Sequence, residues 1–137
     1  MAVYLSNGVV LTVNAVDLST LVSSVTINRS FDELETTAMG DSGHRFVKGL
    51  EASSVTIDFF NDSATSKTLQ TLNSSSVWGN NITVTAKQTS AATSATNPLY
   101  TMTCLVNNTT PINGAVGDLS TQSVTWNVNG TIAVATS

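Results

Sequence analysis

Residues 53–60 of the chain read SSVTIDFF and alternate polar with apolar side chains. Successive side chains of a strand point to opposite faces, so Val55 and Ile57 would share one face. Residues 22–31 repeat this alternation upstream, and residues 120–128 repeat it downstream. These three segments predict half-buried strands of an antiparallel β-protein.

Shorter apolar runs predict the remaining strands, and an Asn7-Gly8 turn predicts a hairpin near the start. These further strands are predicted at residues 2–5, 9–13, 34–37, 82–87, 99–107 and 131–135. One helix is expected over about residues 64–73, where Leu69 and Leu72 are spaced for one helix face. We therefore predict a single domain, residues 1–137, that is mainly β: an antiparallel sandwich or barrel with one short flanking α-helix.

The segment 32–50 differs from the rest of this Ser/Thr-rich chain. It holds six of the fourteen charged residues, the only His and three of the eight Gly. We expect a long loop over residues 38–49, between the second and third main strands, that meets another molecule. Phe46 either packs on its own core or anchors in a neighbour, as aromatic residues beside Arg do in many interfaces.

Charged residues make up 10 % of the chain, against about 25 % in typical soluble domains. Permanent subunit contacts are depleted of charge, although charge-poor secreted β-proteins also exist. The net charge of −4 offers no basic stripe for phosphates, so direct nucleic-acid binding is not expected. Cys104 lies in an apolar run and is expected to be buried. No apolar stretch predicts a membrane helix or a signal peptide, so no membrane partner is expected.

The sequence offers little for catalysis or for cofactor binding. Asp41 and His44 could supply two metal ligands, but nothing completes the set. No Gly-x-Ser-x-Gly elbow and no phosphate-binding Gly loop is present. We therefore expect neither an enzyme nor a cofactor. The aromatic residues in or beside apolar runs are expected in the core: Phe59, Phe60, Trp78 and Trp126.

Several short motifs follow one another in a recognisable order. They are Asp17-Leu18-Ser19 leading into Val25-Thr26-Ile27; Glu33-x-Glu35-Thr36-Thr37-Ala38-x-Gly40-Asp41; Gly49-Leu50 before Ser54-Val55-Thr56-Ile57; residues 91–98; and Gly117-Asp118-Leu119 before residues 123–130. In this order, across most of residues 15–130, the chain resembles the tail tube (major tail) proteins of long-tailed bacteriophages. The Gly43-His44-Arg45 piece departs from the family pattern.

The resemblance implies a β-sandwich whose copies close into hexameric rings through intersubunit sheet pairing. It implies that the rings stack into the hollow tail tube of the virion, after synthesis in the host cytoplasm, beside terminator, distal tail and tape-measure proteins. DNA would pass through without specific binding. Residues 36–50 would reach a neighbouring ring, and the candidate contact residues are Met39, Asp41, His44, Arg45, Phe46 and Lys48.

A tube that conducts DNA should repel phosphates, and an acidic lining does so over about 8–10 Å. The candidate lumen-facing residues are Asp32, Glu33, Glu35 and Asp58. Three other functions remain open at this point. One is a tail terminator, head–tail connector or capsid decoration protein. Another is a carbohydrate-binding module, which would need Trp78 and Trp126 exposed on a flat sheet face. The last is an enzyme with a pocket around His44.

Overall fold

The computed structural model describes residues 8–137, which form ten strands and one α-helix. The strands are β1 (Val10–Val13), β2 (Val16–Asp17), β3 (Val22–Asn28), β4 (Phe31–Glu35), β5 (Phe46–Glu51), β6 (Ser54–Phe60), β7 (Asn81–Lys87), β8 (Leu99–Leu105), β9 (Thr121–Asn127) and β10 (Ala133–Ala135). The helix α1 spans Thr68–Asn73, and a 3₁₀ turn spans Ser19–Leu21. The predicted strand 2–5 and Asn7 of the predicted Asn7-Gly8 turn lie outside the described residues, so that hairpin is not tested.

Two antiparallel sheets make up the body of the protein. A five-stranded sheet has the order β10-β8-β7-β1-β2, and a three-stranded sheet has the order β3-β6-β9. The segment that decides the fold, β6, is the central strand of the smaller sheet. Its Val55 lies opposite Trp126 of β9, and Ile57 lies opposite Val124. The inward side chains of both sheets form one buried core, which confirms the predicted antiparallel β-sandwich.

The core is built around aromatic and aliphatic side chains. Trp126 is fully buried, its ring centroid lies 6.4 Å from that of Phe59, and its Nε1 donates to the carbonyl oxygen of Asn108 at 3.3 Å. Cys104 is also buried, as expected. The predicted short helix is present, but it begins four residues later than predicted, and it buries Leu72 fully and Leu69 only partly.

The prediction that Trp78 belongs to the core is wrong. Its side chain is 48 % exposed, in the turn between α1 and β7. The adjacent Val77 is buried instead. In a turn, neighbouring side chains point in different directions, so an apolar pair does not imply that both members are inside. Phe60 is only half-buried, at the end of β6.

Between β3 and β6 the chain leaves the body as a hairpin. Strands β4 and β5 pair only with each other in a separate two-stranded sheet. We call residues 31–51 the β-arm and residues 36–45 its tip. The long excursion at this place in the chain was predicted, but the prediction of a loop over residues 38–49 is wrong from Phe46 onward, where β5 begins. Lys and Gly are depleted in strands, so Lys48 and Gly49 do not predict a strand here. Cross-strand pairing with β4, rather than a buried alternating face, stabilises β5.

Candidate self-association surface

The β-arm exposes an unusual amount of apolar surface. Every residue from Asn28 to Lys48 is solvent-exposed. The large apolar residues exposed on the arm are Phe31, Leu34, Met39, Phe46, Val47 and Leu50, each about half exposed or more. Monomeric soluble proteins rarely present contiguous apolar patches beyond a few hundred Å². The arm is therefore the clearest candidate for a surface that a partner covers.

The strand register divides the arm's side chains between two faces. Leu34 lies opposite Val47 on one face, whereas Glu33 opposite Lys48 and Glu35 opposite Phe46 fall on the other. We call the first the apolar face and the second the charged face. On the charged face the Lys48 Nζ lies 5.5 Å from the centroid of the Phe31 ring, a cation–π contact. Phe46, one of the predicted contact residues, is 56 % exposed on β5, so it does not fold back on its own core.

The tip of the β-arm is held by side-chain hydrogen bonds. The His44 Nδ1 lies 2.6 Å from Glu35 Oε2, and the Thr37 hydroxyl donates to the same oxygen at 2.9 Å. These contacts, that of His44 above all, lower the pKa of the Glu35 carboxyl below its ordinary value. The Arg45 backbone N–H donates to the Thr37 hydroxyl at 2.9 Å, which joins the two sides of the tip.

Asp41 closes a second small loop within the tip. Its Oδ2 accepts from the Ala38 backbone N–H at 2.8 Å, and the Arg45 guanidinium lies 3.9 Å from its Oδ1. Met39, which lies between Ala38 and Asp41 in the sequence, is fully exposed. The structure therefore brings the predicted residues Asp41, His44 and Arg45 together at the tip, while Phe46 and Lys48 lie on the strand below it.

The root of the β-arm is tied to the body through Glu51. Its Oε2 accepts from the Ile132 backbone N–H and from the Ser53 hydroxyl, both at 2.9 Å. The Ile132 bond is the larger cause that lowers the pKa of Glu51. Beside it the Ser30 hydroxyl donates to the Ala52 carbonyl at 2.7 Å. The arm is thus anchored at its base and free along its length.

The four predicted lumen-facing carboxylates do not form one cluster. Glu33 and Glu35 share the charged face of the arm, and Asp32 falls on the opposite side of β4. Asp58 is elsewhere, on the outer face of β6, opposite Ser24 and Ser123. If these carboxylates line one channel, assembly must bring them together.

A second exposed apolar cluster went unnoticed in the sequence. Ile112, Val116 and Leu119 are each exposed by three-quarters or more, in the segment between β8 and β9. The only signal in the sequence is a set of apolar residues inside a Pro/Gly/Asn run without strand alternation, a composition that indicates a turn.

Within residues 8–137, no group of three or more His, Cys, Asp and Glu side chains is arranged to hold a metal ion. His44 pairs with Glu35 rather than with Asp41, its predicted co-ligand. None of the helices in the described part of the chain is long and apolar enough to span a bilayer.

Comparison with known proteins does not assign this chain to a family. No protein-family model matches it. No similar sequence was found among curated proteins. The likeness to phage tail tube proteins therefore depends on the order of its sequence motifs alone, and the function is argued below from the exposed β-arm.

Proposed function

We propose that this chain is a structural protein that assembles with copies of itself, as the tail tube subunit of a long-tailed bacteriophage. In this proposal hexameric rings stack into a hollow conduit within the virion. DNA traverses the conduit without specific binding, and the tube ends on other tail proteins. The β-arm makes the contact between rings.

The exposed β-arm is the observation that carries the proposal. An isolated two-stranded hairpin is at best marginally stable in water, so a hairpin that projects with exposed Phe, Leu and Val side chains gains from a partner. The arm's charged face combines aromatic rings with Glu33, Glu35 and Lys48. Aromatic residues beside charged ones are typical of interface hot spots and rims.

The edges of the small sheet favour self-assembly as well. Strands β3 and β9 are its two edge strands, and each is seven residues long. Natural proteins rarely leave edges of this length open, and closed rings of subunits remove them. The scarcity of charged side chains agrees with a surface that is largely covered by neighbours.

A terminator, connector or decoration protein would use similar β-folds but would not form long stacks. A carbohydrate-binding module is less well supported. Trp126, one of the two rings it would need, is fully buried, and Trp78 stands in a turn rather than on a flat sheet face. No described arrangement of side chains gives a specific reason to propose an enzyme.

Electron microscopy and sedimentation of the concentrated protein test the proposal. We expect hollow tubes or stacked rings. Single closed rings that never stack would favour a terminator or connector. A folded monomer at every concentration would contradict self-assembly.

A shortened arm provides the matched variant. In the structure the Thr36 backbone N–H donates to the Arg45 carbonyl, so residues 37–44 can be replaced by Asn-Gly, which forms a two-residue hairpin turn. We expect this variant to keep its circular dichroism spectrum and to lose stacking. Leu105→Ser, which changes an exposed Leu of the body, is the control. Stacking that survives removal of the tip would exclude the tip as the ring-to-ring contact.

A further inference from the structure

A groove opens between the two sheets beside the edge strand β3. It has a volume of about 730 Å³, within the range of about 300–1,000 Å³ typical of ligand pockets. Apolar side chains that line it are Leu11, Val22, Val25, Ile27, Ala86 and Tyr100. Val25 and Ile27 are only half-buried, because the groove leaves one side of each of them open.

The groove is not filled by the arm of its own chain. Arg29 lines it, but no residue of the β-arm does. The same molecule therefore offers an apolar arm and an apolar groove that do not meet. An arm that enters the groove of the next copy leaves one arm and one groove unused at the two ends, so the contact can repeat from copy to copy and generate rings or filaments. A reciprocal exchange of arms between two copies would close a dimer instead, and the proposed self-assembly favours the repeating arrangement.

The charges of the two surfaces are complementary. Among the described residues the groove is lined by two cations, Arg29 and Lys87, and by no carboxylate; the Lys87 Nζ donates to the Ala91 carbonyl at 2.9 Å, which leaves Arg29 to meet a docked arm. The β-arm carries five carboxylates against two cations, a net charge of −3. Most of the chain's net charge of −4 is therefore on the arm. Opposite charges steer two surfaces together and penalise wrong pairings.

We propose that the groove beside β3 receives the β-arm of a second copy of this chain. The apolar face, with Leu34 and Val47, packs against the groove's aliphatic walls, and Asp32, which lies on the same side of β4, meets Arg29. This inference rests on the self-assembly in the proposed function and identifies the surface that the arm contacts. It does not depend on the protein's belonging to a phage tail.

Two complementary variants test the proposal in solution. The arm variant is Leu34→Ser with Val47→Ser, and the groove variant is Arg29→Glu. Each alone should weaken self-association by at least about tenfold, the effect of losing a modest hot spot. Lys67→Glu, which shifts the net charge the same way outside both surfaces, is the control and should assemble like the wild type.

Mixing the two variants gives the sharper result. The groove variant still has an intact arm, and the arm variant still has an intact groove. Analytical ultracentrifugation of the mixture should therefore show a complex of one copy of each that does not grow further. A mixture that remains monomeric would overturn the proposal.

Cross-linking identifies the contact directly. Val25 lines the groove and is partly exposed, and the buried Cys104 leaves no competing surface thiol among the described residues. Chains with Val25→Cys and chains with Leu34→Cys, mixed under oxidising conditions, should form a disulfide-linked pair. Thr103→Cys, on the outer face of β8, should not link to Leu34→Cys. Equal linking at Thr103 and Val25 would contradict a specific docking site.

The outcomes separate the two proposals. If the wild type forms tubes and both variants form them equally well, the arm-to-groove contact is wrong and self-assembly stands. If the wild type stays monomeric at every concentration, both are overturned.

Discussion

Gly49 lies where β5 approaches Asp32 of β4 closely. The register shifts by one residue at this point, which forms a β-bulge opposite Asp32. A Cβ at Gly49 would lie 2.9 Å from both the Cβ and the carbonyl oxygen of Asp32. The backbone cannot yield as a flexible side chain would. Glycine is therefore required here by space, although its φ is not positive.

We predict that Gly49→Ala destabilises the β-arm by about 1–3 kcal/mol, the usual effect of overpacking. Amide hydrogen exchange across β4 and β5 should accelerate, while the melting temperature of the body changes little because the arm is a separate sheet. Gly43→Ala is the matched control, since its Cβ would meet nothing within 4 Å. Equal exchange rates in the two variants would show that the arm accommodates a Cβ beside Asp32 without losing stability.

The Glu35 carboxylate gives the tip a pH dependence of defined sign. Hydrogen bonds from His44 and Thr37 lower the pKa of Glu35 in the folded state. A group with a lowered folded pKa stabilises the fold above its unfolded pKa, about 4.3 for Glu. That contribution is lost as the pH falls through the folded value. We expect the tip to stay ordered at neutral pH and to loosen on acidification below pH about 4.

The Arg45 backbone amide reports this change, because it donates to the Thr37 hydroxyl, which in turn donates to Glu35. An NMR titration should show the Arg45 amide shifting with the protonation of Glu35. In Glu35→Gln the shift should disappear and the tip should be loose at all pH values. Identical titration curves for the two proteins would exclude Glu35 as the group that orders the tip.

At the scale of elements, the connection between β8 and β9 is tied down by one buried amide. Gln122 occupies an inward position of β9 and is 2 % exposed. Its Oε1 accepts from the Thr109 hydroxyl at 2.8 Å and from the Thr110 N–H at 2.9 Å. Its Nε2 donates to Asn61 Oδ1 at 2.8 Å. Every polar atom of this side chain thus has a partner, and the connection gains a fixed attachment to the core.

We predict that Gln122→Met destabilises the protein by about 1–3 kcal/mol, because the Thr110 N–H and the Asn61 amide lose a partner that methionine cannot replace. Thermal unfolding measures the change, and hydrogen exchange at Thr110 should rise with it. Thr103→Met, on the exposed outer face of β8, is the control and should melt like the wild type. An unchanged melting temperature for Gln122→Met would mean that water replaces both bonds.

The elements differ in how much the sequence determines them. The bounds of strands β6 and β9 were predictable within a residue or two. One face of each strand is buried, so apolar and polar residues alternate along its sequence. Strand β5 was not predictable, since both of its faces are largely exposed and only its partner β4 stabilises it. The groove beside β3 was also beyond prediction. Its walls come from β1, β3, β7 and β8, which belong to two different sheets, and no local pattern encodes where such strands meet.

At the scale of the whole molecule, the outer face of the small sheet carries almost no charge. Thr26, Thr56 and Thr125 lie side by side across its three strands, and the Thr56 and Thr125 hydroxyls are 3.0 Å apart. Asp58 is the one charged residue that the strands β3, β6 and β9 contain. A flat hydroxyl surface with one carboxylate per copy would suit a channel wall that holds water and repels phosphate. If the five-stranded sheet faced the lumen instead, this hydroxyl face would lie on the outside of the tube.

Thiol labelling in assembled tubes separates these two orientations. We predict that Asp58→Cys reacts with a bulky polymer-linked maleimide in the free subunit and is protected in tubes, where a lumen admits only small reagents. Thr103→Cys, exposed on the outer face of the opposite sheet, should react in both states. The native Cys104 should stay silent, because burial raises its pKa to about 11 and leaves almost no thiolate at neutral pH. Protection of Thr103→Cys with labelling of Asp58→Cys would place the five-stranded sheet on the lumen and remove Asp58 from the channel wall. A small maleimide should label both variants in tubes, since protection then reflects the width of the lumen rather than burial between subunits.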